Sequence, residues 1–200
     1  MLEAAGLDCQ RGGRTLFRKL SFLLRNGESL RIAGPNGSGK TSLVRILCGL
    51  AAPSAGEVRW NREPIGALKE DYSRQLVYIG HTAPLKDELT PRENLDIACR
   101  LAGSEAKDEA LRWALSSLAV PDLPVRKLSQ GQRRRAALAR LLLAGMTPLW
   151  LLDEPFAALD PAASGYVEEL IGRHLAAGGS VVYTSHQACA LDARAHGVQL

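Results

Sequence analysis

Aromatic residues are scarce in this chain: Phe, Trp and Tyr make up 5% of its 200 residues, and the net charge is only +4. A surface that binds nucleic acid needs a basic stripe with aromatics interleaved for stacking. Neither is here, so nucleic acid is not an expected partner. Cysteine is sparse too. Cys9, Cys48, Cys99 and Cys189 are scattered, and no pair has CxxC or zinc-finger spacing. That argues against a structural zinc or a disulfide framework and suits a reducing cytosol. Cys48 lies inside a helical apolar pattern and reads as a small core residue. Long apolar runs are missing as well. Leu141 to Leu152 is interrupted by Gly145 and Pro148, and a spanning helix needs roughly 18 uncharged apolar residues. The opening MLEAAGLDCQRG has no apolar stretch of the secretory-signal kind. Any tie to a membrane is therefore expected to run through a partner.

What remains is the composition of a globular protein, 46% hydrophobic and 23% charged, at a length that suits one domain with a real core. No repeat or low-complexity tract interrupts it. Short apolar runs alternate with helical patterns, which predicts an α/β domain. Ser29-Leu30-Arg31-Ile32-Ala33 reads as a strand running into a glycine-rich loop. Leu43, Val44, Ile46, Leu47 and Leu50 recur at helical spacing and place a helix after that loop. Further strands are predicted at Leu76–Ile79, Leu149–Leu152 and Ser180–Thr184, and Val198-Gln199-Leu200 begins one more. Leu149–Leu152 is apolar throughout, as a strand buried on both faces should be. Between about 84 and 146 helical patterns take over, at Glu93–Leu101, Ala106–Leu118 and Gln130–Leu143. The expectation is one domain over 1–200, with a parallel-sheet core and a helical insert at 84–146.

Gly34-Pro35-Asn36-Gly37-Ser38-Gly39-Lys40-Thr41, with Ser42 next, fits G-x4-GK[ST]. The pattern makes a phosphate cradle. Its glycines let backbone N–H groups turn inward, and the following helix points its positive end at the same place. Lys40 then reaches the β- and γ-phosphates, and Thr41 offers a hydroxyl to Mg²⁺. Downstream, LWLLDEP ends its apolar strand in Asp153 and Glu154. Adjacent residues alternate faces, so the two acids can do different jobs, although the same residues also suit a plain turn. Ser129 precedes a helical pattern with Gln132 at the S-x-x-Q spacing of a capping box. A capped N-terminus with Gly131 close by offers N–H groups to an anion, and is equally the end of an ordinary helix. Arg133-Arg134-Arg135 puts positive charge where the helix dipole disfavours it. Nearby triphosphate, an acidic partner surface or a solvated face would each account for it.

In their order along the chain these elements resemble the ATP-binding-cassette (ABC) ATPases. LSQGQ at 128–132 is similar to that family's LSGGQ signature, with Gln130 in place of the second glycine. LWLLDEP looks like its Walker B strand with the following glutamate, Ala158-Leu159-Asp160 matches its D-loop, and His186 matches its switch histidine. The resemblance runs from Gly34 to His186. It implies a P-loop NTPase (RecA-like) fold, with a parallel-sheet core, an antiparallel β edge and an inserted α-helical subdomain. It implies hydrolysis of ATP with Mg²⁺: Asp153 holds the metal through water, Glu154 orients the attacking water, and His186 contacts the γ-phosphate. It also implies a second copy of the chain, because Ser129, Gly131 and Gln132 would touch the ATP bound by that copy. Integral-membrane subunits, at the cytoplasmic face of the inner membrane, would turn the closing and opening of the pair into work.

Two departures from the family pattern sharpen the resemblance. The glutamine usual after the second strand is His81 here, with Thr90 opening the helical insert. Ile79-Gly80-His81, GEVRW at 56–60, DEPF at 153–156 and the spaced apolar residues from Leu16 to Leu24 resemble the branch that serves c-type cytochrome biogenesis, the haem-exporter ATPase subunits. The implied work is haem export or release of a haem chaperone. The alternative is the ATPase of a drug or lipoprotein exporter, from which His81 is the discriminator. The aromatic that usually stacks on adenine is also missing. Cys9, Gln10 and Arg11 occupy its neighbourhood, which leaves Arg11, by a cation–π contact, or Phe17 to meet the base. With the sequence ending at Leu200, no regulatory C-terminal domain is expected.

Overall fold

The computed structural model describes residues 1–185, 191 and 195–200. Strands β1 (Leu2–Arg11) and β2 (Arg14–Leu24) pair antiparallel across the Gly12-Gly13 turn. Strand β3 (Ser29–Ala33) leads through the glycine-rich loop into helix α1 (Lys40–Leu47). Strands β4 (Ala55–Trp60) and β5 (Glu63–Pro64) return to the first pair, giving an antiparallel sheet ordered β2-β1-β4-β5. The expected antiparallel edge is thus a sheet of its own. Two short helices, α2 (Ile65–Leu68) and α3 (Glu70–Ser73), lead into β6 (Leu76–Ile79).

Helices α4 (Pro91–Leu101), α5 (Asp108–Ser117) and α6 (Gln130–Leu138) fill the stretch between β6 and β7 (Leu149–Leu152). Helix α7 (Pro161–Ala176) then precedes β8 (Ser180–Thr184), and β9 (His196–Gln199) closes the described chain. The second sheet is parallel throughout, ordered β6-β7-β8-β3-β9. Local chemistry sets the helix starts. Thr90 and Glu93 form a reciprocal capping box ahead of Pro91, and Asp160 caps α7 by accepting from the Ala163 N–H at 2.8 Å. The helical pattern predicted to Leu143 is α-helical only to Leu138 and continues as a 3₁₀ turn from Ala139 to Leu143, the tightening common where a helix ends.

Strand β7 is buried on both faces, and its side chains divide by the two-residue period of a strand. Leu149 and Leu151 join α1 and the antiparallel sheet in one core, with Leu30, Ile32 and Val182. Trp150 and Leu152 join the helical layer in the other, with Val181 and Tyr183. The sheet is therefore covered on both sides, as a parallel sheet requires. Cys9 and Cys99 are buried. Cys48 is half-buried against the first core, and burial pushes its thiol pKa well up. Cys189 lies outside the described residues. Replacing Leu151, which has no exposed surface, by alanine is expected to cost about 2–5 kcal/mol of stability. Urea unfolding should show a lower midpoint with an unchanged slope.

Candidate nucleotide-binding site

In a parallel sheet all the strands deliver their C-terminal ends to one rim, and ligands bind there. Strand β3 ends at that rim in the loop 34–39, and β7 ends there in Asp153 and Glu154. Between them lies a cleft of about 280 Å³ lined by Asn36, Gly37, Gly39, Lys40, Thr41, Ser42, His81, Asp153 and Glu154. Most of the predicted phosphate and metal residues thus meet in one place. Gly34, Pro35 and Ser38 belong to the same loop and shape it. Lys40 is buried, and its Nζ donates to the carbonyls of Gly34 at 2.8 Å and Pro35 at 3.0 Å. Gly39 caps α1 at φ 110°, where a side chain is strained and where a Cβ would come within 3.0 Å of Leu16 Cβ. The first turn of α1 carries no acidic residue, so nothing opposes an anion at its positive end.

The donors present fit Mg-nucleotide. Ser38 Oγ and Asp153 Oδ2 are buried oxygens with no hydrogen-bond partner among the described residues. A buried polar atom left in that condition is costly. A phosphate oxygen satisfies the hydroxyl, and a hard cation satisfies the carboxylate oxygen.

The two acids are held differently. Asp153 is buried, and its N–H donates to Ile79 O at 2.8 Å. Its Oδ1 accepts from the Thr184 hydroxyl at 2.8 Å. Glu154 sits at φ 54°, in the left-handed region, and its N–H donates to Thr184 Oγ1 at 2.8 Å. A non-glycine residue held there costs about 1–3 kcal/mol and persists only where its surroundings enforce it. His186 lies outside the described residues.

The signature-like segment stands apart from this cleft. Ser129 and Gln132 form the predicted capping box: Gln132 N–H donates to Ser129 Oγ at 3.2 Å, and Ser129 N–H donates to Gln132 Oε1 at 2.9 Å. Gly131 packs against the D-loop-like turn, where a Cβ would lie 2.6 Å from Ala158 O. A hollow of about 220 Å³ beside it is lined by His81, Gln130, Arg133, Arg134, Ala157 and Ala158 among others. His81 therefore borders both spaces.

The three arginines do three different things. Arg133 pairs with Asp87 at 2.7 Å, and Arg135 lies 3.9 Å from Asp160. Arg134 is buried, and its guanidinium donates to Gly80 O at 2.7 Å, Asp153 O at 2.7 Å, Glu154 O at 2.8 Å and Pro155 O at 3.4 Å. Burial pulls its pKa down, against the opposing pull of the Asp153 and Glu154 carboxylates. None of the three is wholly a solvated face.

Sequence reasoning missed Thr184, Arg134 and Leu16. Leu16 lines the nucleotide cleft. Phe17, offered as a base-stacking residue, is buried at 8% exposure in the core against which Leu16 also packs, with its ring edge beside Gly39. Arg11 is exposed at the end of β1 and does not line the cleft.

The parallel sheet with its glycine-rich loop at the strand ends is the architecture of an ATP-binding cassette, and the family model described as ABC transporter matches residues 17–157. The cytochrome c biogenesis ATP-binding export protein CcmA of Aromatoleum aromaticum is 54% identical, over 94% of this chain and 89% of that protein. The protein of the same name from Nitrosomonas europaea is 49% identical over the same shares. The chain belongs to the CcmA family of ABC-type ATPases. A solved ATP-binding cassette, dimeric and bound to ADP and Pi in a post-hydrolysis state, shares the fold: TM-score 0.80, 23% identity, 94% of this chain and 88% of that one. Gly131→Ala should displace the 157–159 turn while leaving the cleft around Lys40 intact. If two copies of this chain associate on ATP, that association is expected to fall at least tenfold, by analytical ultracentrifugation, with single-chain nucleotide affinity within about twofold of wild type.

Proposed function

We propose that the chain hydrolyses ATP at sites shared by two copies, and that this drives an inner-membrane complex for c-type cytochrome biogenesis. It acts as one domain, with 84–146 as a helical subdomain. Residues 34–42 cradle the phosphates, Lys40 neutralises their charge, and Thr41 with Asp153 holds Mg²⁺, which supplies further charge neutralisation. Glu154 and His186 orient the water that attacks the γ-phosphorus as the bond to the bridging oxygen breaks. Ser129, Gly131 and Gln132 of the opposite copy close on the γ-phosphate. Catalysis is then positioning and charge stabilisation rather than covalent chemistry. His81, bordering both spaces, stands where a signal could pass between nucleotide and helical subdomain.

The observation that carries the reading is the separation of the two halves. The phosphate and metal residues share one cleft, whereas the capped N-terminus of α6 lies outside it. An anion site with no anion-binding partner in its own cleft is explained by a second copy. The dimeric cassette of like fold supports that arrangement, and the CcmA relatives support cytochrome c biogenesis as the process served. Among the described residues no helix is long and apolar enough to cross a membrane. In this reading attachment at the cytoplasmic face runs through integral-membrane subunits. Haem export and release of a haem chaperone are the work these partners would perform.

Glu154→Gln should bind ATP yet hydrolyse it at least 100-fold more slowly, and should elute as a dimer in Mg-ATP on gel filtration; a monomer there would refute the shared site. Lys40→Ala should abolish ATPase activity and cytochrome c maturation together. Normal maturation in cells carrying only that variant would refute the assignment to this process.

A further inference from the structure

Glu154, proposed to orient the water, has a left-handed backbone, φ 54°. Such a conformation does not hold itself. Its N–H is taken by Thr184 Oγ1 at 2.8 Å on one side. Its carbonyl is taken by Arg134 Nη2 at 2.8 Å on the other. Both partners come from other elements, the end of β8 and the first turns of α6, and both are buried. A hydroxyl has a single proton. Thr184 Oγ1 accepts from the Glu154 N–H and donates its own proton to Asp153 Oδ1, 2.8 Å away, an oxygen that can only accept. That fixes the carboxylate plane of Asp153 and leaves Oδ2 as the oxygen for the cation.

We propose that Thr184 and Arg134 are positioning residues that clamp the Asp153–Glu154 turn, Thr184 setting which Asp153 oxygen meets the metal and the two together setting the direction of the Glu154 side chain. The inference rests on the proposed roles of Asp153 and Glu154. Thr184 matters through its hydroxyl and not its shape. Arg134 matters through the number of carbonyls that its planar fork reaches at once, which an ammonium cannot match.

The test uses the full chain, with its membrane subunits where activity requires them. Thr184→Val keeps the volume and removes the hydroxyl. Its turnover is expected to fall at least tenfold at unchanged KM for ATP. Mn²⁺ affinity in the nucleotide complex, read by titration calorimetry, should weaken at least fivefold. The Glu154 amide should exchange with deuterium faster in the nucleotide-free chain. Thr184→Ser should restore all three to within about threefold of wild type. Arg134→Lys should lower turnover with Mn²⁺ affinity kept, since the lysine leaves the Thr184–Asp153 bond in place. The clamp is overturned if Thr184→Val keeps wild-type turnover and metal affinity, or if Thr184→Ser is folded but as impaired as Thr184→Val. Glu154→Gln, run alongside, separates the failures. If it hydrolyses ATP at the wild-type rate, the assignment of Glu154 is wrong; if it is inactive while Thr184→Val is normal, the clamp alone is wrong.

Discussion

A guanidinium taken out of water must have its charge and its N–H groups matched by oxygen. Arg134 meets that demand with carbonyls from two strand ends, Gly80 beyond β6 and Asp153 to Pro155 beyond β7. Carbonyls at strand ends have no ladder partner of their own, so the arrangement satisfies both sides. It also fixes α6 to the rim of the parallel sheet. The helical layer and the nucleotide cleft are therefore not independent parts. The residue that joins them is half of the contact that makes a left-handed glutamate tolerable.

The rim itself follows from simple rules. Parallel strands buried on both faces present their C-terminal ends together, so Lys40, Asp153 and Glu154, remote in sequence, meet in one cleft. The alternation of β7 sends Leu149 and Leu151 to one core and Trp150 and Leu152 to the other. The chain direction that this packing enforces brings Asp153 to the rim buried and Glu154 partly open. In the proposed reaction the shielded carboxylate holds the hard cation and its more open neighbour reaches the water.

Much of this was legible in the sequence because the chemistry imposes local spacing. The phosphate loop needs its glycines, lysine and threonine at fixed intervals, and the capping box of Ser129 and Gln132 spans a single helical turn, so both can be read without a fold. Strands β3, β6, β7 and β8 were legible as apolar runs. Strands β1 and β2 were harder, since their mixed, bulged pattern of apolar and charged residues has no clean period. Thr184 looked like the last residue of a strand and Arg134 like one of a basic run. Their roles depend on hydrogen bonds to residues 30 and 20 positions away, which no local pattern encodes. Phe17 could be read as a neighbour of the loop, and it does lie beside Gly39, but its burial depends on the packing of the antiparallel sheet on α1, which no local pattern encodes.

The stretch from Asp153 to Asp160 is tied to α6 at several points. Arg134 holds its first carbonyls, Ala158 closes on Gly131, and Asp160 lies near Arg135 while capping α7. Ala158, like Glu154, is held at positive φ, 61°. Two strained residues in one short turn need a surface to hold them, and the N-terminal half of α6 provides it. In the proposed dimer that same half offers Ser129 and Gly131 to the other copy's nucleotide. The segment that faces the neighbour's γ-phosphate is then the template for the chain's own Glu154. Within that arrangement Gly131 meets Ala158 and Arg134 meets the Glu154 carbonyl, so the signature residues and the turn that carries the chain's own carboxylate share one support. In the proposed dimer the helix that each copy offers to its neighbour is therefore the same helix on which its own Glu154 is mounted.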